Sequence, residues 1–108
     1  MERGEVWWVA FSSSVGGEIQ KRRPAVIVSN DSSNTHLNRL QVVPLSSTAE
    51  RLYPSEAVVV VNGKKHKAMA DQLSTVSKSR VSNRVAKLSQ SDVEGVEKAI
   101  RVQLGLLP

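Results

Sequence analysis

Residues 21–30 read KRRPAVIVSN and join three consecutive cations to an uninterrupted apolar run. Residues 25–28 are apolar and three of them are β-branched, which suits a pleated strand, and because no polar residue breaks the run we predict a strand buried on both faces. Pro24 cannot donate to a sheet ladder, so we place it at the first position of this strand. The stretch therefore predicts a central strand of a β protein.

The cations before that strand have two interpretations. Arg23 lies where a loop enters rigid sheet, and a guanidinium held there can meet a phosphate with little loss of freedom. Alternatively, Lys21, Arg22 and Arg23 are solvated loop charges.

Composition limits the class of protein. The chain has 108 residues, which predicts a single domain over residues 1–108. It has no cysteine, so disulfides and thiolate metal sites are excluded. No apolar run reaches about 18 residues, and the start MERGEVWWVAF lacks the layout of a signal peptide, so we expect a cytoplasmic protein with no membrane partner. A formal charge of +5 and a pI near 10.0 favour a polyanionic partner.

Several further strands follow from the pattern. Residues 5–11 (EVWWVAF) predict a strand on which Trp7 and Trp8 face opposite ways, one towards the core and one towards solvent or a partner. Residues 12–21, rich in serine and glycine, predict a long functional loop whose one carboxylate is Glu18. Residues 31–38 favour a turn or a single helical turn, with a structural or solvated His36.

The second half adds a hairpin and a helix. Residues 40–45 predict a third strand that ends in hydroxyl residues, which can donate hydrogen bonds to phosphate oxygens. Residues 56–61 predict a fourth strand, and Asn62-Gly63 is a strong hairpin signal before a returning strand. Asp71 then ends that strand either as a turn former or as a buried, paired carboxylate. Ser89 with Asp92 predicts a helix start, and the apolar spacing of Val93, Val96, Ile100 and Leu104 predicts its buried face.

These elements predict a mainly β fold: a small β-barrel or strongly bent sheet with a C-terminal α-helix packed on it. Such a sheet leaves a groove lined by loops on one face. The helix segment is acidic, so the positive charge belongs to the β part.

The chain resembles the MazF/PemK (Kid-type) toxins of toxin–antitoxin pairs over nearly its whole length. The similarity rests on RGEVWWV at 3–9, GGE at 16–18, RPAVIVSN at 23–30, VVPLSS at 42–47, YPSEAVV at 53–59, ADQL at 70–73 and the terminal RVQLGL. The resemblance implies an SH3-like barrel, a homodimer and a metal-independent endoribonuclease for single-stranded RNA, without cofactors. It implies products with 2′,3′-cyclic phosphate and 5′-hydroxyl ends, and a MazE-like antitoxin as partner.

The family's site residues transfer one by one. The arginine before proline is Arg23, the hydroxyl after V-P-x is Ser46 where most members have threonine, the D-Q carboxylate is Asp71, and the loop acid is Glu18. Two departures are Gly17 and Met69, where some members have histidine and arginine.

The resemblance implies a separate role for each of these residues. Arg23 and Ser46 stabilise the phosphate charge, Glu18 is the candidate base, and Asp71 orients Arg23 or a base edge. RNA-binding candidates are the basic, polar and aromatic residues Lys21, Arg22, Asn30, Ser47, Tyr53, Lys64, Lys65, Gln72 and Arg80, with one of the two tryptophans as a stacking platform.

Two other functions compete with this interpretation. A basic barrel can bind nucleic acid or protein without cutting it, since fold does not fix function. A gyrase-directed toxin of the CcdB type shares the architecture, and its terminal helix would form the inhibitory interface.

Overall fold

Antiparallel strands and a C-terminal helix make up the part of the chain that the structure, a computed structural model, describes: residues 1–11 and 21–106. Two single turns of 3-10 helix, Ala70–Gln72 and Lys78–Arg80, flank the sixth strand. The elements in order are β1 (Glu5–Phe11), β2 (Lys21–Ile27), α1 (Asp31–His36), β3 (Arg39–Ser46), β4 (Glu56–Val61), β5 (Lys64–Met69), β6 (Ser74–Ser77), β7 (Val81–Lys87) and α2 (Gln90–Leu104).

Strand β2 separates two apolar clusters, which confirms that it is buried on both faces. Val26 joins the cluster that includes β4 and α2, whereas Ala25 and Ile27 join the cluster under β3 and β6. Alternate side chains of a strand point to opposite faces, so one apolar run can supply both clusters only if each face is covered. The apolar run of β2 is therefore uninterrupted because both faces of the strand are covered.

The two ladders of β2 have different lengths. With β1 it pairs from Val26 to Lys21, but with β3 only from Ile27 to Ala25, which lies opposite Pro44. The strand begins at Lys21, three residues before the predicted start. Pro24 has no N–H to donate, and it stands where the second ladder stops. Strand β3 then pairs with β5, so β2 and β3 part and leave a space between them.

The mainly β class with a C-terminal helix is confirmed, but the sheet is not closed. Its strands follow the order β4-β5-β3-β2-β1-β7, with β6 paired to β3. No ladder joins β4 to β7 in the described residues, although Asn62 Nδ2 donates to the Val85 carbonyl at 3.3 Å across this gap. The fold is thus an open form of the predicted barrel. Within the same ranges, no helix has the length and apolar character needed to cross a membrane.

The hairpin and both ends of α2 agree with the sequence. Asn62 (φ 50°) and Gly63 (φ 82°) both adopt positive φ, as the favoured two-residue turn requires. Ser89 accepts a hydrogen bond from the Asp92 N–H at 3.1 Å, and left-handed Gly105 ends the helix. The predicted buried face is wrong at its far end, because Leu104 is 56% exposed and the buried helix residues are Val96 and Ala99. The last turn extends past the sheet that would cover it.

Glu5 anchors the start of β1 through an ionised carboxylate. Burial alone would raise its pKa, but hydrogen bonds from the Glu2 N–H and the Trp7 indole, with the N-terminal ammonium and Arg84 nearby, hold the pKa below its usual value. The Oε1 atom accepts from Glu2 at 2.9 Å and from Trp7 at 3.0 Å, and Arg84 Nε lies 3.3 Å from Oε2. The carboxylate therefore favours the folded state only when it is charged.

We expect Glu5→Gln to lower the free energy of unfolding at pH 7 by about 1–2 kcal/mol, because hydrogen bonds to a charged acceptor are lost. A lowered folded-state pKa stabilises the protein above the unfolded pKa of about 4.3, and this contribution disappears as pH falls through the folded value. Urea unfolding at pH 7 and at pH 3 should therefore show a difference between variant and wild type only at pH 7. The exposed control Glu50→Gln should change neither value, and an equal loss for Glu5→Gln at both pH values would contradict the assignment.

Candidate functional site

A cleft of about 340 Å³ opens where β2 and β3 part. It takes side chains from β1, β2 and β5 and from the end of β3, so four separate parts of the sheet position it. The lining residues are Trp8, Lys21, Arg22, Arg23, Pro24, Leu45, Ser47 and His66.

The cleft is strongly cationic. Lys21, Arg22 and Arg23 all line it, and none of the described lining residues is a carboxylate. Within residues 1–11 and 21–106, no three His, Asp or Glu side chains come together as a metal site. The described lining therefore suits a bound anion, and phosphate groups of a nucleic acid are such anions.

Arg22 and Trp8 form the outer wall. The guanidinium lies 5.4 Å from the centre of the Trp8 ring, within cation–π range, and its Nη2 atom donates to Ser82 Oγ at 2.8 Å. Arg22 thus reaches from β2 across β1 to β7. Trp8 remains 37% exposed while Trp7 packs against the cluster under β3 and β6, which confirms that the two tryptophans face opposite ways.

Arg23 is fixed in the sheet rather than in a loop. It lies opposite Val9 in the β1–β2 ladder and is partly buried. Its backbone is held by that ladder, and Pro24 follows it with a fixed φ. In the described part of the chain no carboxylate forms an ion pair with Arg23. Because alternate side chains of a strand point to opposite faces, the Arg23 side chain lies on the face of Val9 and the Trp8 side chain on the other.

The two neighbouring serines lie differently: Ser47 lines the cleft, whereas Ser46 shares a face of the sheet with Arg23. Ala25 lies opposite Pro44, and Arg23 and Ser46 each lie two residues from that pair on their own strands. Ser46 is the last residue of β3, lies opposite Lys67, and is not among the residues that line the cleft. Its Oγ accepts a hydrogen bond from the Thr48 N–H at 3.2 Å, which shapes the turn that carries Ser47. The catalytic role predicted for Ser46 stays a prediction.

The other polar candidates lie elsewhere. Asp71 is exposed on the turn Ala70–Gln72, which favours the turn-forming interpretation over a buried, paired carboxylate. Asn30 caps α1, because its Oδ1 accepts from the Ser33 N–H at 2.9 Å. Gln72 is partly buried and does not line the cleft, and Glu18 lies outside the described residues.

The remaining basic and aromatic candidates do not line the cleft. Lys64 and Lys65 are exposed at the start of β5, directly before His66. Arg80 donates to the Ala10 carbonyl of β1 at 3.3 Å, and exposed Tyr53 has Arg51 5.7 Å from its ring. These residues can extend a positive field from the cleft to a longer chain.

His66 lines the cleft but was not among the residues that the sequence analysis selected. On β5, Ala68 lies opposite Leu45, which lines the cleft, and residue 66 shares its face because strand side chains alternate. The sequence predicts that alternate residues of KKHKAM share a face of the strand. It does not predict which of the two faces turns towards the cleft. Its Nδ1 atom lies 3.2 Å from the Lys64 carbonyl oxygen.

The chain is similar to known proteins over nearly its whole length. MazF9 of Mycobacterium tuberculosis, named an endoribonuclease, is 30% identical over 115 residues that cover 98% of both chains. The crystal structure of MazF from Deinococcus radiodurans superposes with a TM-score of 0.85 at 25% identity and covers 98% of this chain and 97% of that one. A mycobacterial endoribonuclease solved with its cognate antitoxin superposes with a TM-score of 0.83 at 21% identity, covering 100% and 98%. Residues 2–104 match the family described as PemK-like, MazF-like toxin of type II toxin-antitoxin system, and the chain belongs to that family.

Proposed function

We propose that the protein is an endoribonuclease that cleaves single-stranded RNA as the toxin of a toxin–antitoxin pair. The observation that carries this proposal is the group of cations at the start of β2, where Arg23 shares a face of the sheet with Ser46 and the neighbouring Arg22 lines a cleft with Trp8. Family membership supports it, as does the name endoribonuclease of the relative MazF9.

The cleft offers what cleavage by the RNA's own 2′-hydroxyl requires. That hydroxyl attacks the adjacent phosphorus, so the protein must stabilise extra charge on the phosphoryl oxygens and assist two proton transfers. Arg23 supplies a planar, permanently charged donor for those oxygens. The Ser46 hydroxyl, on the same face of the sheet as Arg23, is the second donor. The products are a 2′,3′-cyclic phosphate and a 5′-hydroxyl.

Binding of the RNA chain uses the outer wall. Trp8 offers an exposed ring on which a base can stack, and such stacking tolerates any base. Lys21 and Arg22 hold the backbone phosphates, and Lys64, Lys65 and Arg80 extend the positive surface. Single-stranded RNA suits this design because its bases can leave the stack and reach a protein surface.

The cognate antitoxin is the proposed macromolecular partner, together with a second copy of the chain in a homodimer. A solved neighbour is described as an endoribonuclease in complex with its cognate antitoxin. A cleft lined by three cations is complementary to an acidic MazE-like segment. The proposed place of action is the cytoplasm, where the RNA substrate is.

The test is incubation of the purified protein with a long single-stranded RNA in excess EDTA. We expect discrete fragments whose 5′ ends accept phosphate from polynucleotide kinase directly and whose 3′ ends resist ligation until the cyclic phosphate is opened and removed. Primer extension across the products then gives the sequence that is cut. Double-stranded RNA and single-stranded DNA of the same sequence are the controls and should stay intact.

Two results would contradict the proposal. A gel shift with intact RNA would support a non-catalytic binding module. Growth arrest with intact RNA and damaged DNA would support a gyrase-directed toxin of the CcdB type.

A further inference from the structure

We propose that Tyr53 is a stacking subsite for a base of the RNA and that the ion pair between Lys67 and Glu56 positions it. Both roles rest on the proposed ribonuclease function. Tyr53 belongs to the β3–β4 loop (residues 47–55), and the ion pair joins the two strands that follow this loop. The face of the sheet that carries Arg23 and Ser46, the Arg23 face, is the one from which the pair projects.

The β-ladders place Lys67 on the Arg23 face. Lys67 lies directly opposite Ser46 in the β3–β5 ladder, and directly opposite residues share a face. Ser46 in turn shares its face with Arg23. Neighbouring strands lie about 4.8 Å apart, so Lys67 stands one strand away from Ser46, on the side that faces away from β2.

Glu56 is the partner of Lys67. The Nζ atom of Lys67 lies 3.2 Å from Glu56 Oε2 and 3.4 Å from Oε1, and the two side chains are only 16% and 9% exposed. Glu56 lies opposite Met69, two residues from Lys67 on β5, so it projects from the same face. A lysine is seldom this well covered unless it is paired, and the pair therefore has a fixed geometry.

Both members of the pair bind the backbone of the β3–β4 loop. Lys67 Nζ donates to the Arg51 carbonyl at 3.1 Å. Glu56 Oε1 accepts from the Tyr53 N–H at 3.0 Å, and the Glu56 N–H donates to the Tyr53 carbonyl at 2.9 Å. Three hydrogen bonds thus fix the loop on either side of residue 52, next to the side chain that lies opposite Ser46.

Tyr53 is the aromatic residue that this loop presents. Of the other three aromatic side chains of the chain, Trp8 lies on the opposite face, and Trp7 and Phe11 pack against the apolar cluster under β3 and β6. Tyr53 is 53% exposed, and the Arg51 guanidinium lies 5.7 Å from the centre of its ring, within cation–π range. A ring with a cation on one side can accept a base on the other.

The arrangement assigns different tasks to neighbouring groups. Arg23 and Ser46 meet the phosphate at which the RNA is cut, and Tyr53 receives a base of a flanking nucleotide. The donors of Lys67 are used by Glu56 and by the Arg51 carbonyl, so Lys67 is a positioning residue that acts through the loop. A loop that is already ordered binds RNA at a lower entropic cost than one that must become ordered.

The subsite is tested by affinity for a short RNA that carries a 2′-deoxy nucleotide at the mapped cut site, followed by fluorescence anisotropy. Tyr53→Ala should weaken binding about tenfold, as loss of one stacked base does. Tyr53→Phe keeps the ring and should bind as the wild type does. With cleavable RNA and saturating protein, the single-turnover rate of Tyr53→Ala should match the wild type, because the lost contact is the same before and during the reaction.

Abasic nucleotides identify the base that stacks. Each nucleotide that flanks the cut site is replaced in turn by an abasic one. The wild type should lose affinity most sharply at one flanking position that the Tyr53→Ala variant does not sense. Equal dependence of the two proteins on every position would contradict the subsite.

Lys67→Met tests the positioning role. This variant should bind RNA more weakly than the wild type, and the double variant with Tyr53→Ala should bind no more weakly than Tyr53→Ala alone, because the two residues act as a unit. Lys67→Arg keeps the charge and the donors and should restore most of the affinity. Trypsin should cut after Arg51 several times faster in Lys67→Met, since the carbonyl at that bond is no longer bound.

Lys98→Met is the matched control, because it removes one exposed lysine of α2 that forms no ion pair within the described residues. It should change neither the affinity for RNA nor the digestion after Arg51. Circular dichroism at the assay temperature establishes that each variant is folded.

The outcomes separate this proposal from the function beneath it. Wild-type affinity in Tyr53→Ala, in a protein that cleaves RNA, would overturn the subsite and leave the ribonuclease standing. Additive losses for Lys67→Met and Tyr53→Ala, or unchanged digestion after Arg51, would overturn the positioning role. Wild-type protein that never cleaves RNA would overturn the proposed function and the subsite with it.

Discussion

Arg23→Ala should abolish RNA cleavage while the protein stays folded. Arg23 lines the cleft, and no carboxylate in the described residues forms an ion pair with it, so its removal leaves none of the described carboxylates without a partner. The loss of a preorganised donor to a developing phosphoryl charge costs roughly 3 kcal/mol, about two orders of magnitude in rate. Single-turnover cleavage and thermal unfolding of the same preparation measure the two effects separately.

Two further variants show what Arg23 contributes. Arg23→Lys keeps the charge but loses the planar fork, and its rate should fall between those of alanine and wild type. Arg101→Ala removes one positive charge from the exposed last turn of α2, outside the cleft, and should cleave at the wild-type rate. If Arg23→Ala and Arg101→Ala behaved alike, the effect would be one of overall charge and the proposed mechanism would fail.

The parts of the fold that could be predicted are those that depend on local chemistry. The β2 run is apolar on both faces, Asn62-Gly63 accepts positive φ at both positions, and Ser89 and Gly105 satisfy the ends of α2. Each of these signals is read from a few adjacent residues. The structure confirms all of them.

The parts that could not be predicted depend on how distant strands meet. β3 changes its partner from β2 to β5 after Pro44, and this exchange opens the cleft. The sequence predicts that the hydrogen-bonded ladder is interrupted at each proline. It does not predict which strand pairs with β3 beyond that point. For the same reason the exposed position of Leu104 did not follow from helical spacing, since spacing tells which residues share a face but not how far the sheet extends beneath them.

The candidate site shows the same division. Lys21, Arg22 and Arg23 line the cleft because they are the first residues of the strand that organises the fold, and Ser47 because it directly follows β3. Asn30 was selected for an amide that could meet a base, and a helix cap uses that amide. His66 was overlooked as a lining residue because its place in the cleft depends on which distant strands lie beside β5.

Leu45→Ala should be the most destabilising of the substitutions considered for this protein. Leu45 is 1% exposed, belongs to the cluster with Val26 and Ala68, and also forms part of the cleft wall. Truncation of a buried leucine removes apolar contacts and leaves a cavity, which together cost about 2–5 kcal/mol. A domain of this kind is stable by only about 5–15 kcal/mol, so the midpoint of urea unfolding should fall sharply.

Leu104→Ala is the matched control, because it is the same chemical change at a site that is 56% exposed. It should alter the free energy of unfolding by no more than about 0.5 kcal/mol. Equal losses for the two variants would mean that the end of α2 is covered in solution and that the buried face extends through Leu104 as the helical spacing predicts. A large loss for Leu45 alone would show that the wall of the cleft and the core are one structure, so that the position of Arg23 and His66 depends on the packing beneath them.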